Sequence, residues 1–342
     1  MRMKAIRIPL LIVICLGPPA CSLYGPKDMF NFFFGSTTKP PIITNPVRED
    51  VRLAVLWAGR STMLIQVKDK LILTDPFLSD FAGGMMRRVV SAGIDLESLL
   101  RLDLVLLSHA HFDHLCYASL GLIAERFPGA ALVFPQGVEP FLPDVPLNLV
   151  RLKTFDFKER LFGQKETVEG VAVTPVYAGH SGGRYQFDSM IWGAKGHCGF
   201  ILEYDGLTVY YSGDTSYDPK AFNEIGRNYD IDVALVQVGP CRECNGRGTS
   251  QHASSSESLE LFLDLRADFM IPVHYGALPE ETEPHYPAQV LKELIGKREA
   301  ESPDRPEWRT PRLRPVGAEN VKALSLRDRI LFLTEGQQVL FR

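Results

Sequence analysis

The segment His109-Ala-His-Phe-Asp-His114 is the feature that most constrains how this chain can fold. It directly follows the apolar run 103–108, which has the composition of a buried strand. The first two histidines are two positions apart and so project to one side of an extended segment, while Asp113 and His114 can enter from a following helix start. Imidazole nitrogen and carboxylate oxygen are ligands that zinc and similar cations accept. The segment therefore predicts a metal site at the end of a strand.

Residues 108–114 resemble the H-x-H-x-D-H signature of the metallo-β-lactamase-fold hydrolases. The rest of that family's pattern follows in order across 53–275. Independently, the chain is strand-rich, then mixed, then strand-rich again, and this order of segments favours two stacked sheets. The resemblance implies an α/β fold, a four-layered αβ/βα sandwich of the metallo-β-lactamase type. An isolated histidine, a bridging aspartate, a last histidine and a buried bracing aspartate correspond here to His180, Asp214, His274 and Asp75.

The same resemblance implies a dinuclear centre that holds two Zn²⁺, or other divalent metals such as Mn²⁺ or Fe²⁺. Two neighbouring cations lower the pKa of a shared water toward neutrality, so a metal-bound hydroxide would be the nucleophile. Asp113 would ligate a cation and also orient that hydroxide, which makes it a catalytic residue. The implied ligands are His109, His111 and His180 for one cation, Asp113, His114 and His274 for the second, and Asp214 as the bridge.

Several further stretches resemble the branch that contains N-acylphosphatidylethanolamine-hydrolysing phospholipase D. They include 56–59, 73–77, 212–217 and the Gln251-His252 pair. The resemblance implies a phosphodiesterase of phospholipase D type that acts on N-acyl phosphatidylethanolamine-like phospholipids. The alternative is a lactonase or a β-lactamase-like hydrolase, because the same dinuclear site can attack a carbonyl carbon. The chain departs from the branch at Arg60, where a histidine commonly follows the glycine.

Residues outside the ligand set are candidates for proton transfer and substrate binding. His252 can donate a proton to the leaving group or bind substrate, or it can cap the helix that follows it. Gln251 is a candidate substrate contact beside it. Basic side chains that can bind a phosphate, if they are not simply solvated, are Arg184, Lys195, Arg242 and Arg247.

Charge and length limit the classes of partner. The chain has 342 residues and a formal net charge of −4, so it lacks the basic excess that drives nucleic-acid binding. A small molecule or a phospholipid is the expected substrate. The sequence predicts no oligomeric state.

The N-terminus predicts export. Basic residues precede a short apolar run, which has the length of a secretory signal and is too short to span a bilayer as a helix. We expect a signal segment at 1–20, a tether or N-terminal extension at 21–50 and the hydrolase domain at 51–342. Cys21 is a candidate lipid-modified cysteine, which would hold a lipoprotein at the membrane surface of the cell envelope or periplasm. Simple cleavage and an uncleaved anchor are the alternatives.

The pair Cys241 and Cys244 forms a single C-x-x-C. No second pair stands at zinc-finger spacing, so a local disulfide or two free thiols is favoured over a metal knuckle.

Hydrophobic patterning predicts the main elements. Residues 296–315, rich in charge and proline, are expected to form a solvated loop. Strands are expected at 53–57, 63–67, 71–74, 104–107, 131–134, 171–177, 199–204, 207–211 and 233–238, and helices at 95–101, 254–265 and 287–295.

Overall fold

The computed structural model describes residues 36–83, 86–154, 160–185, 188, 195–241, 243–279, 283–301, 308–318 and 324–342. The predicted signal segment, Cys21 and Arg242 lie outside these residues. The described part of the predicted extension, 36–50, lies against the domain, since Ile43 and Val47 pack on its core and Arg48 N–H donates to Gln66 over 2.8 Å. Among the described residues, no helix is both long and apolar enough to cross a membrane.

The first sheet has seven strands in the order β15-β1-β2-β3-β6-β7-β8. Its first four strands pair antiparallel, and the pairs from β3 to β8 are parallel. The strand bounds are β1 Leu53–Gly59, β2 Thr62–Val67, β3 Lys70–Thr74, β6 Leu104–Leu106, β7 Ala131–Pro135, β8 Asn148–Leu152 and β15 Gln338–Phe341.

The second sheet has six strands in the order β14-β13-β12-β11-β10-β9, and a small hairpin forms a third sheet. The pairs β12–β13 and β13–β14 are parallel, so the carboxyl ends of these three strands share one edge. The bounds are β9 Glu166–Val168, β10 Val171–Val176, β11 Gly199–Tyr204, β12 Leu207–Tyr211, β13 Val233–Gln237 and β14 Phe269–Val273, with β4 Phe81–Ala82 and β5 Met86–Arg87 in the hairpin.

Helices cover the outer faces of the two large sheets. The described helices are α1 Tyr117–Arg126, α2 Pro219–Asn228, α3 Ser255–Leu265, α4 Tyr286–Glu301 and α5 Leu326–Arg329, with 3₁₀ turns at Leu96–Ser98 and Glu139–Phe141.

Side chains of β1 show how the layers form. Val55 and Trp57 point into a core shared with Phe200 of the second sheet, while Leu56 packs on the opposite face in the core that also contains Leu120 of α1. This alternation is what a strand buried on both faces requires. The helix–sheet–sheet–helix layering confirms the predicted α/β sandwich.

Two element predictions are wrong. The expected helix at 95–101 is a single 3₁₀ turn, because Leu99 takes an extended conformation and is buried. The expected loop at 296–315 begins as the last turns of α4, where Ile295 anchors the helix in the core and the helix runs on to Glu301.

Candidate metal centre

Four strand ends carry the predicted ligands to one place. His109 follows β6, His180 follows β10, Asp214 follows β12 and His274 follows β14, so both large sheets contribute. Potential ligand atoms of these residues fall into four groups, and within each group the atoms lie within 4.8 Å of one another. The groups overlap and together contain all seven predicted ligands, with Asp75 and His252 as additional members.

His109, His111 and His180 form the first group. Nδ1 of His111 lies 2.9 Å from Nε2 of His109 and 3.2 Å from Nε2 of His180. Two nitrogens that bind the same zinc ion at 2.0–2.1 Å in tetrahedral geometry lie roughly 3.3 Å apart. The observed spacing therefore fits three histidines that share one cation.

Asp113, His114 and His274 form the second group, and Asp214, which is grouped with His252 and His274, also approaches His109 of the first group. One Asp214 oxygen, Oδ2, is 3.9 Å from Nε2 of His109 and 3.2 Å from Nε2 of His114. The other, Oδ1, is 2.9 Å from Nε2 of His274. This is the position that a bridging carboxylate requires.

Buried polar atoms at the centre lack hydrogen-bond partners among the described residues. They include Nε2 of His114, Nε2 of His274 and Oδ1 of Asp214, whose close approaches do not have hydrogen-bond geometry. Buried polar atoms normally have hydrogen-bond partners, so a group of unpartnered ones that face one point indicates a ligand-binding site. Nitrogen and carboxylate oxygen are the donor set of zinc and similar cations. These residues therefore fit the metal that the sequence predicts.

Burial sets the protonation of the first group. It holds the pKa of His109 and His180 well below the usual value and lowers that of His111 to about 4. These imidazoles are therefore neutral near pH 7, as cation binding requires. Burial alone would raise the pKa of Asp214, but the charges of His114 and His274 hold it well below its usual value, so this carboxylate is ionised.

Asp75 braces the histidine segment from behind, as predicted by the family resemblance. Its carboxylate accepts the Ser108 backbone N–H over 2.7 Å, the Ser108 hydroxyl over 2.5 Å and Nδ1 of His114 over 2.7 Å. It also accepts the hydroxyl of Tyr211. These bonds leave Nε2 of His114 facing the centre, which is how outer residues orient metal-ligating histidines.

Two other histidines are oriented by backbone carbonyls. Nδ1 of His180 lies 2.9 Å from the Gln251 carbonyl oxygen, and Nδ1 of His274 lies 3.2 Å from that of Gly239. His274 also has a φ of 77°, a conformation that is strained for a residue other than glycine. Such strain is common at functional sites.

His252 lies in the centre and does not cap the helix. Its Nε2 is 3.1 Å from Asp214 Oδ2, and its side chain is partly exposed. The cap of α3 is Ser254, whose hydroxyl accepts the Glu257 N–H. The side chain of Gln251, half-buried, accepts a hydrogen bond from Ser181 over 2.9 Å.

The basic substrate-binding candidates have different environments. Lys195 and Arg247 are exposed. Arg184 is buried, and its guanidinium donates to the carbonyls of Ala110 and Leu115 over 2.8 and 3.0 Å. Arg184 thus links Ala110, inside the histidine segment, to Leu115, directly after it. The alternative that Arg184 is simply solvated is wrong, because its side chain is buried.

Arg60 is the site residue whose contacts sequence reasoning missed. Its Nε donates to Asp113 Oδ2 over 2.8 Å, and its Nη1 donates to the His274 carbonyl over 3.0 Å. In return, the His274 N–H donates to the Arg60 carbonyl over 2.9 Å. The sequence signal for this residue was that the chain has an arginine at position 60, where the branch commonly has a histidine.

Cys241 and Cys244 form a disulfide, which is one of the two favoured interpretations of this pair. The bridge lies in the connection between β13 and α3, beyond Gly239 and before His252. That connection therefore contributes to the orientation of His274 at one end and carries His252 at the other.

Comparison with known proteins identifies relatives. Residues 70–275 match a family described as the β-lactamase superfamily domain. A Pyrococcus furiosus protein named as a metal-dependent hydrolase is 30% identical over 71% of this chain and 92% of its own. An N-acyl-phosphatidylethanolamine-hydrolyzing phospholipase D of Caenorhabditis elegans is 27% identical over 72% of this chain and 71% of its own.

An uncharacterised Mycobacterium tuberculosis protein is 27% identical over 73% of this chain, and the match spans 65% of that relative's length. Among solved structures, a metallo hydrolase of the archaeon Ignicoccus hospitalis superimposes with a TM-score of 0.51 at 21% identity, covering 71% of this chain and 91% of that one. The structural match supports the same fold.

Proposed function

Because the chain belongs to the metallo-β-lactamase superfamily and is a metal-dependent hydrolase, we propose that it is a dinuclear zinc phosphodiesterase of phospholipase D type. The substrates would be N-acyl phosphatidylethanolamine-like phospholipids. The observation that carries the dinuclear part is the convergence of two ligand groups on Asp214. The C. elegans relative supports the choice of substrate.

In this proposal the first cation is held by His109, His111 and His180, the second by Asp113, His114 and His274, and Asp214 contacts both. When bound, two such cations would lower the pKa of water at the centre and stabilise charge on the attacked phosphoryl oxygen. Asp113, fixed by Arg60, would orient the attacking water. His252 would hold a proton at Nε2 for the leaving alcohol.

An exposed aromatic surface beside the centre supports a lipid substrate. Phe112, inside the histidine segment, packs against Tyr185 with ring centroids 5.5 Å apart. Tyr185 and nearby Tyr117 are 50% and 46% exposed, and Arg184 stacks on Phe112 and on Tyr117. Aromatic rings with one apolar face and one polar end suit the boundary between acyl chains and head groups.

We also propose that the N-terminal segment exports the chain and that Cys21 anchors it as a lipoprotein at the membrane surface. A phospholipid substrate would then lie within reach of the centre. Labelling with a radioactive fatty acid tests the anchor, because the label should be lost in the Cys21→Ser variant and equal label in both proteins would contradict it.

The substrate proposal is tested by one metal-replete preparation assayed on four compounds. These are N-acyl phosphatidylethanolamine, bis(p-nitrophenyl) phosphate, an acyl lactone and a chromogenic cephalosporin. We expect cleavage of the phosphodiesters, loss of activity after chelation and recovery with Zn²⁺ or Mn²⁺. Faster hydrolysis of the lactone or the cephalosporin would favour the carbonyl hydrolase instead.

Removing the His252 imidazole tests its part in proton transfer. We expect His252→Ala to lower kcat about 100-fold or more, because general acid catalysis typically contributes this much. Steady-state kinetics across pH would measure it, with His285→Ala as a control, since His285 lies outside the ligand groups and pairs with Glu335. An unchanged kcat in His252→Ala, with or without a raised KM, would remove the proton-transfer role.

A further inference from the structure

Arg60 is a buried cation at the turn between β1 and β2. It is 3% exposed, has a φ of 55° and is fixed in place because Nε1 of Trp57 donates to its carbonyl over 2.9 Å. A charged side chain is costly to bury without partners. The partners found here, Asp113 and His274, both belong to the second ligand group.

The Arg60 guanidinium is hydrogen-bonded to the Asp113 oxygen that a cation in the second group would bind. Arg60 Nε donates to Asp113 Oδ2. The same oxygen lies 3.6 Å from Nε2 of His114 and 3.8 Å from Nε2 of His274, so it is the Asp113 oxygen that faces the other two ligands. A second cation and Arg60 would therefore share one carboxylate oxygen.

The Arg60 charge removes the electrostatic advantage that Asp113 would give the second site. Asp113 belongs to the second group alone, and the Arg60 charge offsets the negative charge it brings to a cation there. The side chains of Arg60 and Asp113 are 4% and 11% exposed, so solvent and salt screen this interaction little.

Resting on the proposed dinuclear centre, we propose that Arg60 is a positioning residue that makes the two cation sites unequal. The first cation binds tightly at His109, His111 and His180, and the second binds more weakly because a guanidinium lies on Asp113. The hydrogen bond from Arg60 also holds Asp113 in place, which favours binding. Repulsion outweighs that benefit, because a guanidinium and a divalent cation on one buried oxygen repel strongly at low dielectric, while one hydrogen bond contributes modestly.

The order of loading follows from this difference. At low free metal the protein would hold one cation, and the second would bind only as the metal concentration rises. Arg60 thus sets the metal concentration at which the centre becomes dinuclear.

The test is a metal titration of the full chain after chelation, with Co²⁺ followed by visible absorption and Zn²⁺ followed by calorimetry. The wild type should bind two cations with Kd values separated by about tenfold or more. Arg60→Gln keeps an N–H donor and removes the charge, so its second Kd should tighten about tenfold while the first stays the same. Arg60→Lys keeps the charge and should keep the separation.

A second variant, Asp113→Asn, tests which residues form the weaker site even if Arg60→Gln fails to fold. Asp113→Asn should abolish the second binding step and leave the first. Two equal sites in the wild type, an unchanged or weaker second site in Arg60→Gln, or loss of the first step in Asp113→Asn would each overturn the assignment to Arg60. A wild type that binds no cation would overturn the proposed dinuclear centre itself.

Discussion

Replacing Asp214 by alanine is expected to lower kcat/KM by about 1,000-fold or more, because this carboxylate reaches both ligand groups. Its oxygens lie 2.9–3.2 Å from ring nitrogens of His114, His252 and His274. Without it, His274 loses the carboxylate oxygen at 2.9 Å and His114 loses the one at 3.2 Å that faces the centre. The expected result therefore combines loss of activity with binding of fewer cations.

Hydrolysis kinetics and metal content of the same purified sample measure this prediction. Asp144→Ala is the matched control, because Asp144 is an exposed carboxylate in the loop before β8. It should keep full activity and metal content. An active Asp214→Ala enzyme with its full complement of metal would show that the carboxylate does not bridge.

Replacing Asp75 by alanine is expected to lower the free energy of unfolding by about 3–5 kcal/mol, because it leaves buried groups without their acceptor. Ser108, His114 and Tyr211 all bond to this carboxylate, and each is almost fully buried. Since His114 also loses the bond that orients its ring, metal affinity should fall as well.

Denaturant unfolding of the metal-free protein isolates the structural part of this effect from metal binding. Asp75→Asn keeps the shape and one acceptor oxygen and should cost less than the alanine variant. A change within about 0.5 kcal/mol for Asp75→Ala, the range of ordinary surface substitutions, would show that the brace contributes little.

Sequence patterns predicted the elements that carry strong apolar runs. The strands 199–204 and 207–211 have the predicted bounds, because both are largely buried and end at turns. The strand Asn148–Leu152 escaped prediction since most of its side chains are exposed and it lacks the apolar run of a buried strand. Helix α1 escaped prediction because its start lacks the usual signals: Cys116 at the N-cap makes no side-chain cap hydrogen bond, and the first turn has no acidic residue.

The candidate ligands could be proposed from the sequence because the histidine segment, His180, Asp214 and His274 each follow a recognisable strand, and the family resemblance pointed to the distant ones. The partners of the supporting arginines could not be predicted, although the departure from the branch pattern marked the position of Arg60. Arg60 reaches Asp113 across 53 positions of the chain, and Arg184 reaches Ala110 across 74. Such partners are set by how the sheets stack, which local patterns do not encode.

The pairing of β1 with β15 has a consequence for how the chain is made. Leu53 pairs with Phe341, so the outer edge of β1 gains its partner only from a strand that lies far along the sequence. Contacts this far apart in sequence slow folding. Until β15 arrives, the apolar strand β1 presents unpaired backbone groups that can recruit another chain. We therefore expect removal of β15 to leave the chain prone to aggregation, even though every candidate ligand of the centre would still be present.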